Sequence, residues 1–234
     1  MADHSHLIKL TPEERAFKEH VQTVYNSGKM QEAYELAKEY YLGHKDSLLA
    51  KYLYAGMAGD YADVPLLQEE KKAELRETAK HLIKEVYEHE DLERTEFYSA
   101  AKNEYYWFHQ LHEEQYNFGE KRVASGEVRG YYSMCVGASA MAKKCLLELK
   151  DKPGAATWAQ KSAEAFRQFE KIDPHWHNIN YFYAYSLAIL GKAAEAEAAY
   201  RDMYRKQNNP VNEGELENFI KETNNILTHL RETQ

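Results

Sequence analysis

HNINYFYAYSLAILGKAAEAEAAYRDMYRKQNNP, residues 177–210, is the stretch that decides the fold. Its apolar residues recur with the 3.6-residue period of a helix, from Asn178 to Leu190 and again from Ala193 to Lys206. Between the two runs stands Gly191, which can turn the chain sharply without a Cβ clash. Small and large side chains alternate in order: Ala184, Leu187, Gly191, Ala196, Tyr200, Met203, and then Pro210 closes the segment. Two helices of similar length joined this tightly must lie antiparallel, with the alanines marking where their backbones approach.

Downstream, Asn212 caps a helix from Glu213 to about Arg231. Leu216, Phe219, Ile220, Leu227 and Leu230 form its apolar stripe, and Glu213, Glu217, Lys221, Glu222 and Arg231 can face water. Upstream, Val128–Leu149 and Ala155–Lys171 read as a further pair across Lys150-Asp151-Lys152-Pro153-Gly154. The amino-terminal part opens with Thr11-Pro12-Glu13-Glu14, a capping box with proline in the first turn, and that helix stops at Gly28. Met30–Leu42 follows it and ends at Gly43. Then come Ser47–Gly59 after a cap at Asp46, a long helix from Pro65 to about Glu88, and a continuous run from about Glu93 to Phe118. Gly119–Gly126 reads as a short charged connection.

The order of small and large residues in 177–210 resembles a tetratricopeptide repeat, a helix pair of about 34 residues. Ser162, Phe166, Phe169 and Pro174, with Gly137 and Ala140 before them, repeat part of the pattern, as do Val24, Gly28, Met30, Ala33, Ala37 and Tyr40. Residues 47–126 depart from it. The resemblance implies an all-α fold, an α-α superhelix of antiparallel hairpins. The expected organisation is a flexible segment 1–10, about five hairpins over 11–211, and a capping helix over 212–234.

Members of that family usually hold partners on the concave face built from the first helix of each pair. Carried over position by position, this selects Asn178, Tyr181, Tyr185 and Ile189 in the last pair. It selects Tyr131, Met134, Ala138 and Met141 in the pair before, and Arg15, Lys18 and Gln22 at the start. Only Lys18 suits a clamp for a terminal carboxylate, since Gln22 stands where asparagine is expected and tyrosines fill the matching places of the last pair. An apolar or helical segment of a protein or peptide is therefore the expected partner. An incomplete amino-terminal cap would also leave a face for homodimer formation.

Composition narrows the classes further. The 234 residues carry 30 Lys+Arg against 38 Asp+Glu, a net charge of −8, which disfavours phosphate backbones and hence nucleic acid. No window approaches the ~18 apolar residues of a membrane span, and no leader pattern opens the sequence, so a cytoplasmic location is expected. Cys135 and Cys145, ten positions apart on one helix, would stand ~15 Å from each other and cannot form a disulfide.

Catalytic motifs fail on required residues. Gly28-Lys29 and Gly191-Lys192 lack the hydroxyl residue of a phosphate loop. His89-Glu90 and His112-Glu113 lack the second histidine of a zinc-peptidase helix. Two histidine pairs remain, His109 with His112 and His175 with His177, neither beside a cysteine. The expectation is a non-catalytic adaptor or regulatory scaffold without cofactor or metal. The alternatives are a metal-dependent protein using His109 and His112 with Glu113 or Glu114, and a small-molecule sensor using the aromatic groove. The acidic run Glu85, Glu88, Glu90, Asp91, Glu93 and Glu96 reads as a solvated helix end.

Overall fold

The computed structural model describes residues 8–64, 67–207 and 209–231, and the expected flexible start lies mostly outside them. Among the described residues there are eleven α-helices, one 3-10 turn and no strand beyond a single parallel bridge between Ile8 and Thr95. The helices gather into two compact units, residues 1–110 and 111–234, and within each unit consecutive helices pack against one another.

The first unit holds α1 (Pro12–Asn26), α2 (Met30–Gly43), α3 (Leu48–Ala62), α4 (Glu69–Tyr87), a 3-10 turn at Leu92–Arg94, and α5 (Tyr98–Phe108). The Thr11 hydroxyl accepts from the Glu14 amide at 3.2 Å, and the Glu14 carboxylate accepts from the Thr11 amide at 2.8 Å. This is the reciprocal box that the sequence predicts. At α3 the cap is Ser47 rather than Asp46, because its hydroxyl is the one that reaches the Ala50 amide. The core of this unit is built on Leu49, Leu53, Leu82, Ile83 and Val86, each of whose burial contributes roughly 1.5–3 kcal/mol. Tyr87 stacks flat on Tyr105 with centroids 3.7 Å apart and fixes α4 against α5. The acidic run spends its charge locally: Glu85 pairs with Lys51 at 2.6 Å, Asp91 with Arg94 at 3.0 Å and Glu96 with Arg15 at 3.0 Å.

The second unit holds α6 (His112–Ala124), α7 (Gly130–Leu147), α8 (Lys152–Ile172), α9 (Ile179–Ile189), α10 (Ala193–Lys206) and α11 (Glu213–Arg231). Ala184 and Ala196, the small residues expected between the last paired helices, are fully buried. In the same pair of helices Lys206, with its side chain 10% exposed, places its ammonium 3.0 Å from the Asn180 side-chain carbonyl oxygen and 3.2 Å from Glu170. Asp202 lies at 3.5 Å, so the buried cation is surrounded by acceptors from α8, α9 and α10. Cys135 and Cys145 are free and buried.

Four further expectations are corrected, and glycine lies behind two. The run Glu93–Phe118 is not one helix. Thr95 is drawn into the bridge with Ile8, and Gln110 takes a left-handed conformation with φ 56°, ending α5 before α6 begins. Gly119 does not open a loop but lies inside α6. A Cβ there would come 2.6 Å from the Gly130 carbonyl oxygen, so the glycine is a site of close helix approach. Gly59 does not end α3 for the same reason, since a Cβ would fall 2.2 Å from the Phe108 ring. Finally, Lys152-Pro153-Gly154 is the first turn of α8, capped by Asp151, whose carboxylate accepts from the Gly154 amide at 3.0 Å. The expected start of α4 at Pro65 lies outside the described residues, and the helix is described from Glu69.

Candidate functional site

The residues selected for partner binding fall into two groups. Arg15, Lys18 and Gln22 are carried by α1 in the first unit, where Arg15 and Gln22 are exposed and Lys18 partly so. All the others belong to the second unit, and there the structure divides them.

Ile189 is 2% exposed and Tyr185 6% exposed, both inside a core shared with Leu216, Phe219 and Ile226 of α11. Tyr185 meets Phe219 edge-on at 5.2 Å, and Phe219 stacks on Tyr200 at 4.3 Å. The Tyr185 phenol donates to the Glu222 carboxylate and the Tyr204 phenol donates to Glu215. Burial holds both phenols well above the usual tyrosine range, and the neighbouring tyrosines and carboxylates add to it. Lys143 completes the contact, 4.7 Å above the Tyr185 ring and 3.6 Å from Glu222. Helix α11 therefore lies over the face of α9 that carries Tyr185 and Ile189, and it touches α7. Met141 packs against the same core, and Met134 lies against Gly119 of α6. Tyr131 packs partly on the cluster of Cys135, Phe166 and Phe169. Of the set in this unit, Asn178 and Tyr181, at the start of α9, are the ones that stand exposed.

The histidine pairs do not build a metal centre. His109 caps the end of α5 and His112 begins α6, so the one-turn spacing on a single helix does not exist. Among the described residues no group of three or more His, Cys, Asp or Glu side chains is placed to hold a metal ion. Trp176, between His175 and His177, packs edge-on to Tyr132 and Phe169 beneath Arg129.

A constellation that the sequence reading passed over lies in the first unit. On α3, Tyr52, Gly56, Gly59 and Asp60 share the face turned to α5. Tyr52 stacks on Phe97, just before α5, at 5.2 Å, and Gly59 lies under Phe108 at the other end of α5. Between these contacts α5 carries Glu104, one turn before Phe108. The Asp60 and Glu104 carboxyls approach closely enough to repel each other when ionised. Burial, first of all, raises both above the usual carboxylate range, and the mutual repulsion raises Glu104 further. Asp63 adds to the rise at Asp60, while a hydrogen bond from the Tyr25 phenol of α1 opposes it. Glu104, like Asp60, is partly buried. The signal available in the sequence was an acid inside each of two apolar-periodic runs, and Gly59-Asp60-Tyr61 masked one of them by resembling a turn.

Elsewhere in this unit an open groove of about 720 Å³ lies at the α1–α2 turn, lined by Met30, Tyr61, Val64 and Leu67 together with Lys29 and Glu32. No protein-family profile matches the chain, and neither the curated proteins nor the solved structures contain a match to it.

Proposed function

We propose that this chain is a non-catalytic adaptor or scaffold, with helix pairs of the tetratricopeptide type, that holds a segment of a protein or peptide. The observation that carries the reading is the face shared by α1, α3 and α5. These are the helices that open successive turns of the first unit, and they gather Tyr25, Asp60 and Glu104 where apolar side chains would suffice for packing. Titratable groups held away from their ordinary range by burial and neighbouring charge cluster at functional sites. The groove lined by Met30, Tyr61 and Leu67 gives an extended or helical segment further surface.

In the second unit the same reading rests on Asn178 and Tyr181, because α11 already covers Tyr185 and Ile189. Tyr185→Ala is for that reason a poor probe of binding, since it would also loosen α11. Selection of displayed peptides against the full chain tests the proposal. Enriched peptides should lose affinity when Glu104→Gln, Lys18→Ala or Tyr181→Ala is introduced into a chain that keeps its helical content. Failure of every library to yield a peptide of defined stoichiometry would remove the scaffold reading.

A further inference from the structure

Three large apolar side chains of the second unit stand exposed around its α7 start and α8 end: Val128 before α7, Ile172 closing α8 and Trp176 in the α8–α9 loop, at 46%, 44% and 40%. Trp176 is braced there. Its ring meets Tyr132 at 6.1 Å and Phe169 at 6.3 Å, both edge-on, and Ile172 follows Phe169 by one turn of α8. The Arg129 guanidinium lies 5.8 Å from the same ring, and Val128 adjoins Arg129 in the chain. An aromatic ring already fixed by its neighbours, with its outer part in water, loses little freedom when a ligand covers it, which is what an anchor of binding needs.

This end of the unit is basic, although the whole chain carries a net charge of −8. The helices that finish here, α6 and α8, have Lys121, Arg122 and Lys171 in their last turns. Those that begin here, α7 and α9, have no acid in the first turn and no side-chain cap, so their amide ends add to the positive potential. Of the acids in these loops and last turns, Glu127 pairs with Arg122 at 3.0 Å and Glu170 with Lys206 at 3.2 Å, which leaves Asp173. Arg129 pairs with no carboxylate among the described residues, and Lys171 donates to the Gln168 side-chain oxygen instead of to an acid.

We infer that this end of the second unit docks a segment of the partner in which an acidic side chain adjoins a large apolar one. The carboxylate pairs with the Arg129 guanidinium, and the apolar side chain lies on Trp176 and Ile172. The inference rests on the scaffold reading and adds to it a surface at the helix ends, with the chemistry of what it holds. A guanidinium can take a carboxylate through its planar N–H edge while its face stays on the indole, so the polar and apolar halves of the ligand are held side by side. An anionic bilayer suits the place less well. Trp176 is braced by Tyr132 and Phe169 instead of protruding, and Asp173 and the net negative charge of the chain oppose acidic headgroups.

The test follows the indole N–H resonances of the full ¹⁵N-labelled chain, one for each of its three tryptophans, Trp107, Trp158 and Trp176. The probe is acetyl-Asp-Leu-Asp-Leu-Asp amide, with one counterpart carrying Lys for each Asp and another carrying Ser for each Leu. The Asp–Leu peptide should shift Trp176 saturably and leave the other two indoles in place. The Lys–Leu peptide should not bind, and the Asp–Ser peptide should bind roughly tenfold more weakly. Arg129→Gln and Ile172→Ser, both on exposed side chains, should each weaken the Asp–Leu peptide roughly tenfold or more, with an unmoved Trp158 resonance reporting that the fold is kept. A Trp176 resonance that stays in place up to the solubility limit of the probe, or that responds equally to the Lys–Leu peptide, would overturn the inference. So would binding to phosphatidylserine vesicles without binding to the peptide, or a Trp176 shift on concentrating the chain alone that Ile172→Ser abolishes, because these assign the face to lipid or to a second copy. Displayed peptides that bind Arg129→Gln and Ile172→Ser with full affinity would overturn it while leaving the scaffold reading intact. A chain that binds the Asp–Leu probe at Trp176 but selects no peptide from any library would do the reverse.

Discussion

Replacing Gly137 by alanine should destabilise the second unit, although alanine is the better helix former by about 1 kcal/mol. A Cβ at this position would stand 2.5 Å from the His112 carbonyl oxygen and 2.8 Å from the Tyr116 amide nitrogen, both backbone atoms of α6. Ordinary contact needs roughly 1 Å more, so α6 must move away from α7 along its length, and a shift of that size forfeits a quarter to a half of each dispersion contact. Gly119 and Gly130 form the same seam, with Cβ positions 2.6 Å from the Gly130 oxygen and 2.5 Å from the Gly119 oxygen, so no nearby gap absorbs the displacement. Overpacking against backbone belongs at the upper end of the usual 1–3 kcal/mol, which leaves a net loss of about 2 kcal/mol after the helix-propensity gain. Gly56→Ala is the matched control. It is also a helix-interior glycine, but its Cβ would meet nothing within 4 Å, so it should gain about 0.5–1 kcal/mol. Urea unfolding followed by far-ultraviolet circular dichroism reads both, and with a slope of about 2 kcal/mol/M the Gly137→Ala midpoint should fall by about 1 M. A Gly137→Ala chain as stable as its parent would refute the close approach of α6 and α7.

The hold of α11 is tested by Tyr185→Phe, which removes the donor, and Glu222→Ala, which removes the acceptor, of the same hydrogen bond. Each should cost ~1–2 kcal/mol and speed amide exchange over Glu213–Arg231, and the double variant should cost little more than either single one. Independent, additive losses would argue against the contact. The raised carboxyls set a pH dependence of known sign. Because Asp60 and Glu104 bind protons more tightly folded than unfolded, the folded chain carries more protons between about pH 4 and about pH 8. Stability from this pair is therefore full at the acid end of that window and is lost as pH rises, and Glu104→Gln should flatten the slope measured by denaturation. A slope unchanged by Glu104→Gln would count against the coupling. The Cys135 thiol is pushed up to about 12 by burial, so thiol reagents should reach it only through unfolding, and rapid labelling of the native chain would contradict its enclosure.

Periodicity and caps made most of the helices legible in advance. The box at Thr11 and the helix limits around Ala193–Lys206 and Glu213–Arg231 follow from local chemistry, which acts within a turn or two. Glycine was harder to read. Residues such as Gly59 and Gly119 look like stops in one dimension, and only a neighbouring element, Phe108 or Gly130, reveals them as contact points. The break at Gln110 had no local signal, since glutamine does not favour a positive φ and tertiary packing imposes it. The candidate site suffered in the same way. Position-by-position transfer of a repeat pattern chose Tyr185 and Ile189 as partner-binding residues and could not foresee that α11 would lie over them. Asp60 and Glu104 stand 44 positions apart on separate helices, and nothing in either helix alone announces the other.

The placement of α11 over α9 also has a consequence for biosynthesis. Leu216, Phe219 and Ile226 emerge from the ribosome roughly thirty to forty residues after Tyr185 and Ile189, which at 5–20 residues per second is an interval of about 2–8 s. Throughout it the apolar side of α9 is bare, and a nascent chain in that condition offers a transient landing place for molecular chaperones. Slower translation of the segment 190–212 would lengthen that exposure and raise the yield of aggregated product.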